Sequence, residues 1–421
     1  MSVLKFFKGN VLNLSVTMAI FAFAEQMFTP YLSLYILALG GDVPTIGLVN
    51  SLGTIASLFI LPIGGYIADY KGRVKIIAIM SYLYAFSSLF FIFAPDWKLI
   101  ILGLAIQRIS LSYTPALSAI QADSLLPRMR GLGFSLFRFI PGIAALASPY
   151  IAGYLITVYG TSNGVRICYV MLLLCGIVAA TIRSRLKETL TEQRSDVPIR
   201  NLPLLFVTSY KAMLGSLKGI HKTMWVITAI SVVNTFFISM VGPFWVVYAT
   251  GVIKLSVLDW GLILLCMTGL RIVISLPAGR IVDRVGRKKC ILASLALMPI
   301  PMITFIYSKT FIQVLAGVLF IELLDDFLMP STQALVADLI PKERRGLINS
   351  VLGRGTFIVT VGGGVGGGTI AMFLPYTIGV TLGGYIYNLN PVYPWLILAP
   401  TLVICTVLTA LFIHEPEKPE E

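Results

Sequence analysis

Six charged residues lie among apolar neighbours, where charge is expensive, and their types suit proton transfer or recognition of a charged ligand. Glu25 sits near the middle of the apolar stretch 11–38 and Arg108 near the middle of 98–121. Opposite charges at similar depth are natural partners when their helices face one cavity. The second group is denser. Glu322 and Asp326 stand one helical turn apart on one face, Asp325 is beside them, and Arg271, midway along 257–281, is the cation available to offset them. Three carboxyl groups in so small a volume repel one another, and crowded carboxyls that trade protons are how a proton carrier is built. The competing role for either group is a structural ion pair between helices. Arg138 and Arg354 differ from these. Each follows the glycine that opens its helix by seven or eight residues, roughly 10–12 Å from that end at 1.5 Å per residue. Their matching placement favours a gate or brace, at a depth where an arginine can also snorkel to the surface.

The elements that hold these residues are long apolar helices. The chain has 421 residues, 57% apolar and 12% charged, with mean hydropathy +0.89, a balance that excludes an ordinary soluble protein. Its apolar runs recur at lengths that cross a hydrocarbon core about 30 Å thick as helices, and they exceed the roughly 10-residue strands of a barrel. The pattern predicts an all-α membrane protein with twelve spans near 11–38, 45–68, 75–95, 98–121, 131–157, 166–186, 222–249, 257–281, 289–307, 310–334, 346–387 and 392–413. The first is read as an uncleaved helix, because no small-residue cleavage site follows Lys5 and Lys8 and Glu25 interrupts the run. The eleventh would measure about 63 Å as one straight helix, twice the membrane core, so it must break, tilt or leave the membrane. A hinge is expected within the glycine run 362–368.

Charge sets the orientation. Of the 32 Lys and Arg, only Lys98, Arg166, Lys254 and Lys309 fall in odd-numbered connections, four lie inside spans, and the other 24 are at the termini and in even-numbered connections. The positive-inside rule then places both termini and the central loop in the cytoplasm of a multi-pass cell-membrane protein. The net charge of +13 is an orientation signal and an attraction for anionic inner-leaflet lipid; its clusters are too short and scattered for nucleic acid. The five cysteines and two histidines show no metal-ligand spacing and no disulfide framework. Neither a metal, a cofactor nor an enzyme activity is implied.

A loop signature occurs twice, 214 residues apart. Gly65, Asp69, Gly72, Arg73 and Lys75 are echoed by Gly279, Asp283, Gly286, Arg287 and Lys289. Pro30 to Tyr35 matches Pro243 to Tyr248, and Asp123 with its trailing basic residues matches Asp338 with its own. Landmarks held in one register across the chain argue for duplication. The halves are 1–187 and 222–421, joined by a polar linker, 188–221, in which 201–219 has the apolar spacing of an interfacial helix. In the signature, Gly65 and Gly279 would permit close helix approach, Gly72 and Gly286 a chain reversal, and Asp69 and Asp283 could accept hydrogen bonds from the free N–H groups of a neighbouring helix start.

Two six-helix halves carrying this loop signature resemble the major facilitator superfamily of secondary transporters. The resemblance implies two halves related by a parallel repeat, working as a monomer on a small-molecule substrate. It implies that Asp69 meets the start of the eleventh helix and Asp283 that of the fifth, latching the cytoplasmic side with Arg73, Arg287, Asp123 and Asp338 nearby. It also implies that Tyr31, Tyr35, Phe237, Phe244 and Tyr248, on the first and seventh helices, line the cavity. Glu25 and Arg108 loosely resemble the acid and arginine of the superfamily's drug–proton antiporters, so the leading expectation is proton-coupled efflux of amphipathic compounds. Uptake of a polar metabolite, sugar or organic anion, by proton coupling or facilitated diffusion, is the alternative, and a non-transporting receptor or scramblase is a third.

Overall fold

A computed structural model describes residues 8–56, 72–125, 130–189, 222–340 and 369–413, with a few isolated positions between them. Among these every regular element is helical. The helices are α1 (Asn10–Ala38, tightened at Thr29–Tyr31), α2 (Val43–Ala56), α3 (Arg73–Ile92), α4 (Trp97–Ser124), α5 (Arg130–Ala145), α6 (Ser148–Ser184), α7 (Lys222–Gly251), α8 (Val257–Val285), α9 (Arg287–Tyr307), α10 (Phe311–Leu339), α11 (Ile370–Leu389) and α12 (Tyr393–Phe412).

Eight helical stretches among the described residues are long and apolar enough to cross a membrane. The protein is therefore multi-spanning, and the expected count of twelve is only partly visible in these eight. The reasons are local. One stretch, Leu132–Ser184, runs 53 residues, too long for one crossing, and its helix leaves helical geometry at Gly160, where φ is 78° and ψ 163°. Helix α10 is 29 residues long, but every membrane-length segment of it contains Glu322, Asp325 and Asp326. Helix α11 begins at Ile370, two residues past the glycine run, and at 20 residues has the length of a crossing, but it is not among the eight. The glycine run and the linker helix expected at 201–219 lie outside the described residues, apart from isolated positions in the latter.

Side-chain caps set several starts. Asp96 accepts from Lys98 N at 2.9 Å before α4, and Ser256 and Asp259 form a reciprocal capping box at α8. At α3 and α9 the preceding residue is instead a glycine with positive φ, Gly72 at 88° and Gly286 at 101°. An L side chain there would be strained, so the chain can enter these two helices at that angle only through glycine.

Packing divides the chain into two units. In the first, α6 packs along α1 and α3, and α3 packs on α4. Its core at one end joins Leu14, Ile77, Ala116, Ile120, Leu125 and Phe137. The second unit takes in Pro30–Leu37 and Gly41–Ser51 together with α7 to α12. Within it Ser33 donates to the Pro243 carbonyl at 2.7 Å, α10 lies against α8 and α9, and α7 lies against α11 and α12. Trp245, Tyr248, Phe305, Tyr387 and Trp395 make an aromatic core there, with Trp245 and Phe305 centroids 4.5 Å apart. All five cysteines are free, three of them buried.

Candidate functional site

In the first unit the structure gives Glu25 a partner that the sequence did not reveal. Tyr84, on α3, donates its hydroxyl to Glu25 Oε1 at 3.4 Å. Arg108, the expected partner, acts on Glu25 electrostatically, and no ion pair joins them. Glu25 is exposed although it lies midway along an apolar helix. A carboxyl group at that depth is tolerated where it faces a watery cavity.

In the second unit the expected offset of charge is met in detail. Arg271 on α8 grips Glu322 on α10 with two hydrogen bonds, Nη2 to Oε2 at 2.9 Å and Nε to Oε1. Paired donors of this kind fix orientation as well as charge. Glu322 is 3% exposed and Arg271 52%, so the arginine reaches from an open face into the packed one. Asp325, one turn from Glu322, is buried. Asp326 is half-buried, and its Oδ2 has no hydrogen-bond partner among the described residues. One carboxylate of the three is thus committed to a cation, and another keeps an open oxygen.

The loop signature resolves into matching ion pairs. Arg73, at the start of α3, pairs with Asp123, near the end of α4, at 2.6 Å. Arg287, at the start of α9, pairs with Asp338, near the end of α10. Glu188 adds a contact the sequence did not signal, accepting from Val74 N at 3.0 Å and so capping the free N–H groups of α3. Arg73 also donates to Thr189 at 3.3 Å. Lys288 donates to the Ala410 carbonyl at 2.9 Å.

Several expected site residues stand elsewhere. A Cβ on Gly279 would meet nothing within 4 Å among the described residues, so close approach of the described helices, the role expected from the sequence, does not require glycine there. Asp283 is exposed at the end of α8, and Arg138 is exposed on α5. Tyr31, Tyr35, Phe244 and Tyr248 are at most 1% exposed, held within packed helices rather than lining open space; Phe237 is half-buried. Gly65, Asp69 and Arg354 lie outside the described residues.

A family model described as the Major Facilitator Superfamily matches residues 14–229 and 224–421. The chain belongs to this superfamily. The activity general to that superfamily is secondary transport across a membrane by alternating access. Two curated relatives share stretches with this superfamily member. The uncharacterized MFS-type transporter YhjO of Bacillus subtilis (strain 168) is 27% identical over 182 residues, 42% of this chain and 40% of that protein. The inner membrane metabolite transport protein YdjE of Escherichia coli (strain K12) is 30% identical over 125 residues, 29% of this chain and 26% of that protein. These matches therefore span less than half of either relative's length. The crystal structure of the nucleoside transporter NupG superposes with a TM-score of 0.70 at 16% identity, covering 96% of this chain and 100% of that one. At that identity the likeness is one of fold.

Proposed function

We propose that the chain is a proton-coupled transporter that takes up a small polar metabolite, a sugar or an organic anion. One observation carries this reading over efflux of lipophilic compounds: the aromatic side chains that would suit a flat apolar ligand, Tyr31, Tyr35, Phe244 and Tyr248, are consumed in packing. Of the candidate site residues in the spans, those that stand open or half-open are the charged Glu25, Arg108, Arg271 and Asp326, with Phe237 half-buried. The names of YdjE as a metabolite transport protein and NupG as a nucleoside transporter agree with a polar substrate.

In this reading Asp326 is the proton carrier, because its Oδ2 has an open valence for a proton while Glu322 is already neutralised by Arg271. Glu25, with Tyr84, is the second acid of the cycle, and Arg108 and Arg271 supply cationic contacts for substrate. Asp69 and Asp283 serve the cytoplasmic latch. The test uses purified protein in liposomes with an imposed pH gradient and a panel of sugars, nucleosides, organic anions and lipophilic cations. Asp326→Asn keeps the volume and most hydrogen bonding but cannot titrate. It is expected to lose gradient-driven accumulation by about tenfold or more, the scale set by mutational losses of a proton-transfer group, while substrate binding persists. Undiminished accumulation in Asp326→Asn would reject the assignment, and transport of lipophilic cations alone would restore the efflux reading.

A further inference from the structure

Arg183 is the most buried cation among the described residues, 2% exposed although it lies in the last turn of α6. From there its side chain could snorkel outward and meet the helix C-terminal carbonyls. It turns inward instead. Nη1 donates to Ser81 Oγ on α3 at 2.9 Å, and Nε to Thr17 Oγ1 on α1 at 3.4 Å. The guanidinium lies 4.3 Å over the ring of Phe21 and 5.1 Å from that of Tyr113 on α4. No carboxylate among the described residues pairs with it. A guanidinium withdrawn from water is held here by hydroxyls and ring faces from three other helices.

The residues it grips are one turn from the Glu25 site. Phe21 and Glu25 are i and i+4 on α1, and Ser81 and Tyr84 are i and i+3 on α3, so each pair shares a helix face. The line of contact is continuous. Arg183 covers Phe21, Phe21 meets Tyr84 edge-on with centroids 5.7 Å apart and planes at 79°, and Tyr84 donates to Glu25. At 3.4 Å that last hydrogen bond is near the outer limit of useful length, where a small displacement of either helix makes or breaks it.

We propose that Arg183 is a positioning residue that sets the distance between α1 and α3 and thereby holds the Tyr84 hydroxyl on Glu25. The proposal rests on the reading of Glu25 as a working acid, and it is the geometry of that acid that Arg183 governs. Other groups act on the same site: Arg108 on both Glu25 and Tyr84, and Tyr113 and Tyr169 on Tyr84. Arg138, on the helix packed beside α1, is exposed. Tyr169 also spans the two helices, against Phe28 on α1 and Phe91 on α3, but of these groups Arg183 is the one that reaches Phe21 and Ser81, one turn from Glu25 and Tyr84.

The test follows the Glu25 carboxyl itself. In infrared difference spectra of the full chain in lipid, titrated with pH, the Glu25 band is the one absent from Glu25→Gln. Tyr84→Phe shows how that band looks without its hydroxyl donor. Arg183→Lys, which keeps the charge but loses the planar fork, and Phe21→Leu, which keeps the arginine but removes the ring, should both displace the titration midpoint by about half a pH unit, the loss of one weak hydrogen bond, in the same sense as Tyr84→Phe. A wild-type midpoint in folded Phe21→Leu or Arg183→Lys overturns the proposal. A merely structural role lowers the unfolding temperature and leaves the midpoint in place, which is the same overturning result. Transport by Glu25→Gln is measured separately. Wild-type transport there removes Glu25 from the transport cycle, and the infrared shift still decides whether Arg183 positions it.

Discussion

Glu322 and Asp326 share a helix face yet meet different surroundings, and residue identity alone could not separate them. Arg271 reaches one and leaves the other with an open oxygen; which acid it reaches depends on how α8 lies against α10. Asp42 gives a simpler case outside the spans. It caps α2 by accepting from Thr45 N at 2.9 Å and from the Thr45 hydroxyl, and these bonds, the hydroxyl first, hold its carboxyl below the usual aspartate range. The folded value lies below the unfolded one, so the cap's contribution is complete above about pH 4 and fades as pH falls through the lower folded value. Asp42→Ala is expected to cost about 0.5 kcal/mol near neutrality, the low end for an exposed cap. Its unfolding temperature should converge on that of the wild type as the pH approaches about 3. A gap that stays constant with pH would show that the carboxylate is not the capping group. Legibility at this scale was partial. The charges inside spans stood out because hydrophobic neighbours framed them. Arg183 did not, since the sequence counts it among cytoplasmic cations, and Tyr84 did not, since a tyrosine in an aromatic-rich helix carries no signal of its partner.

Most helix positions were legible to within a few residues, because an apolar run bounded by caps and basic loops has little freedom in where it starts; the exceptions are α5, which ends at Ala145 rather than near 157, and α6, which begins at Ser148 rather than near 166. What the run does not encode is which neighbour it touches. Helix α11 meets α7 so closely that a Cβ on Gly379 would come within 2.1 Å of the Phe236 carbonyl and of Ser239 Oγ, and one on Gly383 within 2.5 Å of the Met240 carbonyl. Ser239 Oγ could rotate aside, but the Phe236 and Met240 carbonyls are backbone and cannot. Gly379→Ala should therefore lower stability by about 1–3 kcal/mol, the usual cost of overpacking, read as a drop in unfolding temperature in detergent. Gly279→Ala, with open space around the added methyl, should stay within about 0.5 kcal/mol of wild type. Equal effects from the two substitutions would mean that α7 and α11 do not approach as described. The signature glycines thus split by cause: Gly286 is required by its backbone angle, and Gly279 is not required by packing.

At the scale of the molecule three landmarks in register argue for duplication, and the superfamily, which the family model shows, was legible in them. Substrate and coupling were not readable, because the same helices with the same loop signature serve either direction of transport. Orientation remains an expectation from the distribution of Lys and Arg. Reporters placed at Met1 and at Glu421 should both be active on the cytoplasmic side; activity outside the cell at either position would overturn the assignment. The aromatic set shows how the two scales interact. The resemblance implied a cavity lining on α1 and α7, whereas Tyr31, Tyr35, Phe244 and Tyr248 are held in packing, and only tertiary structure distinguishes a lining from a core.

The ion pairs Arg73–Asp123 and Arg287–Asp338 join residues 50 apart in one half and 51 in the other. Each closes the open end of a single helical hairpin, α3–α4 or α9–α10, using residues from that hairpin alone. Such a hairpin is complete as soon as its second helix has left the ribosome, before any later helix exists, and chains of this size fold segment by segment as they are made. The clasp therefore has a meaning in time as well as in space: it can fasten two consecutive helices during synthesis, and Glu188 arrives at the first clasp only after two further membrane crossings have been laid down.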